Sequence, residues 1–141
     1  MREILFRGKR VDNGEWVEGN LFVPDKVDTP TQICIGTNVV RITYEVIPET
    51  VGQYTGLTAN GTKIFEGDIG KYKQVDGAKR KGKSIICRGS VVYNAKIASY
   101  AVESKDEAGC KYFDYFSIKD FEVIGNIHDN SELLKGGESD A

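Results

Sequence analysis

The sequence predicts a mainly β protein, folded as a small barrel or roll or as a sandwich, and three features carry that expectation. Short runs rich in Val, Ile, Tyr and Phe recur along the chain. Reversals marked by glycine or asparagine, Asn13-Gly14 and Asn60-Gly61 among them, separate the runs. A helical signature is confined to one short stretch near the end.

The first reversal defines an N-terminal hairpin. Asn-Gly is the dipeptide that best tolerates the two positive φ angles of a type I′ turn. With Asn13-Gly14 as a two-residue loop, Val11 faces Trp16, Lys9 faces Glu18, Gly8 faces Gly19 and Phe6 faces Leu21. Alternation then assigns Ile4, Phe6, Val17, Leu21 and Val23 to the core face, and Arg7, Lys9, Glu18 and Asn20 to water. The glycine pair would leave a shallow place for another segment to approach. Trp16 beside Val11 would form an aromatic–aliphatic pair at the hairpin end.

Further along, Ile33-Cys34-Ile35 and Val39-Val40-Arg41-Ile42 flank Gly36-Thr37-Asn38 and read as a second hairpin. Val46-Ile47-Pro48 leads to residues 50–57, and Asn60-Gly61 turns the chain into residues 63–69. Residues 73–84 are polar, glycine-bearing and aperiodic, the mark of a mobile loop. Strands are expected again at 85–87, 90–93, 97–102, 110–118 and 121–127, with a turn at 105–109. Asn130 or Ser131 can cap one helical turn through Glu132, Leu133 and Leu134, ended by Gly136.

The 141 residues suffice to bury a core without covalent staples. No apolar run approaches the ~18 residues of a membrane helix. The apolar stretch at the N-terminus is three residues, Ile4-Leu5-Phe6, interrupted by charge, so no signal peptide is read and a cytoplasmic location is expected. Cys34, Cys87 and Cys110 are odd in number and widely spaced, which points to three buried thiols rather than disulfides or a zinc site. Net charge is −2, yet residues 71–88 hold seven basic side chains and one acid, a local +6 that leaves −8 for the rest.

Four groupings carry chemistry. Glu66 and Asp68 share one face if their segment is a strand, and paired carboxylates can divide acid and base roles; the alternative is a bend at Gly67 with the acids on backbone N–H groups. Gln53 and Tyr54, between Gly52 and Gly56, can line a polar pocket or satisfy buried backbone. His128, the one histidine, lies after the last strand beside Asp129. Lys79, Arg80, Lys81 and Lys83 can neutralise phosphates without reading sequence, with Tyr72 and Tyr93 as stacking platforms, or can form a solvated connector. No phosphate-binding glycine loop and no D-x-D-x-D-G loop is present, so no cofactor and no metal is expected.

Three stretches resemble the YopX family of phage and prophage proteins. They are Arg2 to Lys9 with Asn13-Gly14-Glu15-Trp16-Val17; Thr50 to Leu57 followed by Gly61 to Ile69; and Gly125-Asn126-Ile127 with Asn130 and Glu132-Leu133-Leu134. Gly70 departs from the family's β-branched residue, His128 from an aromatic and Ser131 from a proline. The resemblance implies one domain over 1–135, with hairpins in 1–48, a barrel-like part with an SH3-like element in 49–127, and a polar tail at 136–141. It also implies a phage-encoded accessory protein in a bacterial host, and carries over no catalytic residue. The expected function is non-enzymatic binding to a protein partner or a second copy. A nucleic-acid module using loop 71–88 is the alternative, and an enzyme with a site around 52–68 the third reading.

Overall fold

The computed structural model describes residues 2–25, 28–36, 40–75, 84–104 and 121–134. Along them run ten strands: β1 Phe6–Lys9, β2 Trp16–Phe22, β3 Gln32–Gly36, β4 Arg41–Glu45, β5 Gly52–Ala59, β6 Thr62–Phe65, β7 Asp68–Val75, β8 Ser84–Asn94, β9 Ser99–Glu103 and β10 Glu122–Asn126. Among the described residues the helical segments are two single 3-10 turns, Pro48–Thr50 and Ser131–Leu134. The mainly β expectation holds.

The strands form two antiparallel sheets, ordered β4-β3-β2-β1-β5-β6 and β10-β7-β8-β9. They do not make the closed barrel that the sequence suggested. In the first sheet β4 returns to the end of β1 through one isolated bridge, Arg10 to Val46. Two backbone bonds flank it, Val11 N–H to Glu45 O at 3.0 Å and Ile47 N–H to Lys9 O at 2.8 Å. Closing β1 to β4 into a barrel requires a staggered ladder, which a single bridge does not supply.

The chain divides into two compact units, Met1–Gly56 and Leu57–Ala141. Gly56, in β5 at the boundary, has φ +90°, a conformation that side chains disfavour.

In the first unit the N-terminal hairpin forms with a longer loop than expected. Its register pairs Phe6 with Gly19, Arg7 with Glu18, Gly8 with Val17 and Lys9 with Trp16. The loop is Val11 to Gly14, closed by Arg10 N–H to Glu15 O at 2.8 Å and Gly14 N–H to Arg10 O at 3.0 Å. Only Gly14 takes a positive φ, +74°, and Asn13 does not. The pairing has moved by two residues, so the side chains within the paired strands keep their predicted faces; a shift of one would have inverted them. Gly8 and Gly19 no longer oppose each other, yet both admit close approach. Val46 packs directly on Gly8, and the Cys34 carbonyl sits on Gly19. Ile33 and Val46 are fully buried, and Tyr54 nearly so. Ile4 and Val23, expected in the core, lie beyond the ends of β1 and β2 and are exposed. The second hairpin pairs β3 with β4 from Gln32↔Glu45 to Gly36↔Arg41; residues 37–39 of its reversal lie outside the described residues.

In the second unit the expected turn at Asn60-Gly61 forms, with φ 52° and 82°, the two positive angles of a type I′ turn. β7, β8 and β9 then follow as a meander, and β10 returns beside β7 with a bulge between Val123 and Gly125. The core gathers Ala59, Ile64, Tyr72, Cys87, Val91, Val102 and Phe121. Each fully buried large side chain there contributes roughly 1.5–3 kcal/mol. Three expectations are corrected. β8 is one strand of 11 residues rather than two. β7 extends to Val75 and pairs Val75 with Ser84, so residues 73–75 and 84 are strand, not loop. β9 starts at Ser99 rather than Ile97, because Asn94 to Ser99 is a four-residue hairpin whose last loop residue, Ala98, has φ 52°. Residues 76–83 and 105–120, with the expected turn at 105–109 and strand at 110–118, lie outside the described residues.

Gly89 is what lets β8 run through. A side chain there would meet Val102 and the Glu103 backbone of β9. Gly70 is equally constrained, since a Cβ on it would collide with Cζ of the Phe121 ring. The residue that departs from the family pattern is therefore matched to its partner. The C-terminal turn forms as expected, with Leu133 N–H bonded to Asn130 O at 2.9 Å. The Asn130 side chain does not cap it; its oxygen accepts Asn126 N–H at 3.2 Å.

Two expectations follow. Ala98→Gly relieves a left-handed residue and should raise stability by up to about 1 kcal/mol in urea unfolding; a lowered midpoint would contradict the turn. Gly70→Val should destabilise by roughly 1–3 kcal/mol through overpacking. Phe121→Ala is costly alone, yet in that background the Gly70→Val penalty should largely vanish. Strictly additive losses in the double-mutant cycle would exclude the contact.

Candidate functional site

The central stretch around Glu66 and Asp68 is where sequence chemistry was densest. β6 ends at Phe65, and Gly67, with φ +89°, turns the chain into β7 at Asp68. Asp68 is 2% exposed, and its Oδ2 accepts the buried Phe65 N–H at 2.7 Å. The Gly67 backbone is used twice: its N–H donates to Val91 O at 2.9 Å, and its C=O accepts Ile127 N–H at 2.8 Å. Glu66 lies in the turn and is half-buried. The two acids do not share a strand face, and the alternative of a bend at Gly67 with an acid on a backbone N–H is the arrangement found. Asp68 acts instead as the acceptor that closes the bend.

Gln53 and Tyr54 fall in the first unit. Gln53 pairs with Phe6 of β1, and Gly52 with Arg7. The Tyr54 N–H donates to Leu5 O at 2.8 Å, and the side chain is buried. Glu66 and Asp68 belong to the second unit.

Of the basic candidates, Lys79, Arg80, Lys81 and Lys83 lie outside the described residues. The flanking strands are described. β7 and β8 pair Lys71 with Arg88 and Lys73 with Ile86, which places these four side chains on one face. Lys71 Nζ stands 3.7 Å from Glu122 Oε1, and Arg88 Nη1 donates to Leu133 O at 3.1 Å. Tyr72 points the other way. It is 7% exposed and stacks on Phe121 with ring centroids 6.4 Å apart, so it is no platform for bases. Tyr93 is 48% exposed and meets Tyr100 edge-on at 5.3 Å.

The sequence reading missed an aromatic–cation cluster on the first hairpin. Trp16 faces Lys9 rather than Val11, with the Arg7 guanidinium 4.8 Å and the Lys9 ammonium 5.8 Å from its ring centroid. Beside the loop, Arg10 lies 4.4 Å over the Tyr44 ring. It donates to both Asp12 oxygens, at 2.9 and 2.6 Å. That bond holds the Asp12 carboxyl below the usual range and raises the guanidinium in turn. The missing signal was loop length: a two-residue turn puts Trp16 opposite Val11, a four-residue turn opposite Lys9.

The cysteine expectation also changes. Cys87 is disulfide-bonded and fully buried. Cys34 is a free, half-buried thiol 3.3 Å from Thr43 Oγ1. His128 is exposed, and its backbone N–H donates to Asn126 Oδ1 at 3.0 Å. Among the described residues no three His, Cys, Asp or Glu side chains gather to hold a metal ion, and no helix is long and apolar enough to cross a membrane.

The model of the YopX protein family matches residues 5–135. The chain belongs to the YopX protein family. No curated protein and no solved structure gives a significant match. In this YopX protein the three stretches that carry the resemblance are built into turns and ladders. Asn13-Gly14 ends the first loop, Gly67-Asp68 forms the buried bend, and Asn126 Oδ1 gathers the N–H groups of His128 and Asp129 at 3.0 and 2.9 Å. Gly125 is needed there because a side chain would strike Asn130.

Replacing Asp68 by Ala leaves the buried Phe65 N–H without its carboxylate and should cost about 1–3 kcal/mol. Glu66→Gln should cost about 0.5 kcal/mol or less. Equal losses in urea unfolding would remove the distinction between the two acids.

Proposed function

We propose that this YopX protein is a non-enzymatic binding module, phage- or prophage-encoded, acting in the cytoplasm of a bacterial host on a protein partner or a second copy of itself. The observation that carries the reading is the use of Asp68: the buried carboxylate best placed for acid–base work is engaged by the Phe65 amide at 2.7 Å. A general acid or base needs a substrate-facing proton site, and this one faces the fold's own backbone. We also take the second unit as the SH3-like element implied by the family; the β7-β8-β9 meander with β10 returning beside β7 supports it. A nucleic-acid role for segment 71–88 is a second reading, favoured by the shared face of Lys71, Lys73 and Arg88.

The test is capture of partners from prophage-bearing cells on the tagged chain, with nuclease-treated extract run in parallel and sedimentation of the purified protein alongside. A nuclease-resistant protein partner, or a stable dimer, supports the reading. A monomer that captures nothing from either extract would eliminate it.

A further inference from the structure

We infer that the outer face of the β7–β8 ribbon is a contact surface for the phosphate backbone of duplex nucleic acid, an inference that rests on the second reading above and gives it a defined surface. β10 accompanies β7 only as far as Lys71, and β9 accompanies β8 only from Ser90. Among the described residues the rungs from Tyr72↔Cys87 to Val75↔Ser84 therefore form a two-stranded ribbon. Its inner face is committed to the core through Tyr72 and Cys87. Its outer face carries Lys71, Lys73 and Arg88, and Ile86, opposite Lys73, is 60% exposed, so the face is open there.

Lysines two positions apart on a strand lie about 6.6–6.8 Å apart. That span equals roughly two base steps along one nucleic-acid strand, so each ammonium meets a separate phosphate. Arg88, tied to the Leu133 carbonyl, adds a fixed positive charge beside them. Among the described residues, the acid opposite Lys71 on this face is Glu122. Their 3.7 Å contact joins two largely exposed side chains and is weak in water, so a phosphate can compete for the lysine. Contacts to phosphates alone carry no sequence information, so binding should be indifferent to sequence.

The experiment is fluorescence anisotropy of the full chain on a labelled duplex of about 20 base pairs, between about 50 and 200 mM salt. Each phosphate contact adds roughly 0.9 to the slope of log affinity against log salt, so Lys71→Ser with Lys73→Ser should lower the slope by about 1.8. Glu122→Gln should act in the opposite direction and tighten binding about threefold, the effect of one charge near 7 Å in water. Thermal midpoints of both variants check that they remain folded. No binding at about 50 mM salt, a parental slope in the double lysine variant, or weaker binding by Glu122→Gln would overturn the assignment. Loss of duplex binding alongside an intact nuclease-resistant protein capture would sink this surface while leaving the binding-module reading standing.

Discussion

The second unit turns on a buried bend at Gly67. A reversal inside a core exposes backbone donors and acceptors to a low dielectric, and each one left unmet costs about 1–3 kcal/mol. Here each is met. Asp68 takes the Phe65 N–H, Val91 O takes the Gly67 N–H, and the Gly67 carbonyl takes Ile127 N–H. Those three bonds fasten the ends of β6 and β7 to β8 and to the residue following β10. The acid at position 68 and the glycine at 67 are explained by this geometry without any reference to catalysis. A glycine is required because φ is +89°. An acid suits position 68 because a carboxylate is a stronger acceptor for an isolated buried N–H than a neutral group.

The same dipeptide gave two different turns. Asn60-Gly61 adopts the two positive φ angles that Asn-Gly favours, with β5 and β6 feeding it directly. Asn13-Gly14 does not, because its flanking residues favour a wider loop. Arg10 is held by Asp12 and by the Tyr44 ring, and Asn13 Oδ1 accepts Glu15 N–H at 2.9 Å. Tyr44 is distant in sequence, so no local reading could include it. The face assignment survived because loops of two and four residues differ by an even register shift. The pairing partners did not survive, and Trp16 was lost as a candidate for that reason.

Glycines inside strands caused the other main departures. Arg88-Gly89 looked like a break between two short strands, whereas Gly89 is the position at which β9 comes too close for a side chain. Gly70 has the same meaning against Phe121. From sequence a strand glycine marks either a break or a close approach, and only the neighbour decides which. The site residues divide along the same line. Gln53, Tyr54, Glu66 and Asp68 were found because polar residues near glycines attract notice. The role of Asp68 emerged only once the Phe65 amide was seen to point at it, although a bend at Gly67 with acids on backbone N–H groups was the plainer of the two sequence readings.

Net charge conceals the electrostatic character of the chain. A total of −2 and an isoelectric point near 5.5 describe a mildly acidic protein, but the sum combines +6 in residues 71–88 with −8 elsewhere. Screening in physiological salt falls off over about 8 Å, so a ligand at the ribbon responds to its nearest charges and barely to the distant acids. The strand register then decides whether those nearest charges act together. Antiparallel pairing sets Lys71 beside Arg88, and the two-residue period of β7 sets Lys73 on the same side. A shift of one residue in that ladder would have sent one strand's cations toward the Phe121 core, where a charge is costly to bury. The core and the basic face are therefore two consequences of one register, since Tyr72 and Cys87 can be buried only if Lys71, Lys73 and Arg88 are turned outward.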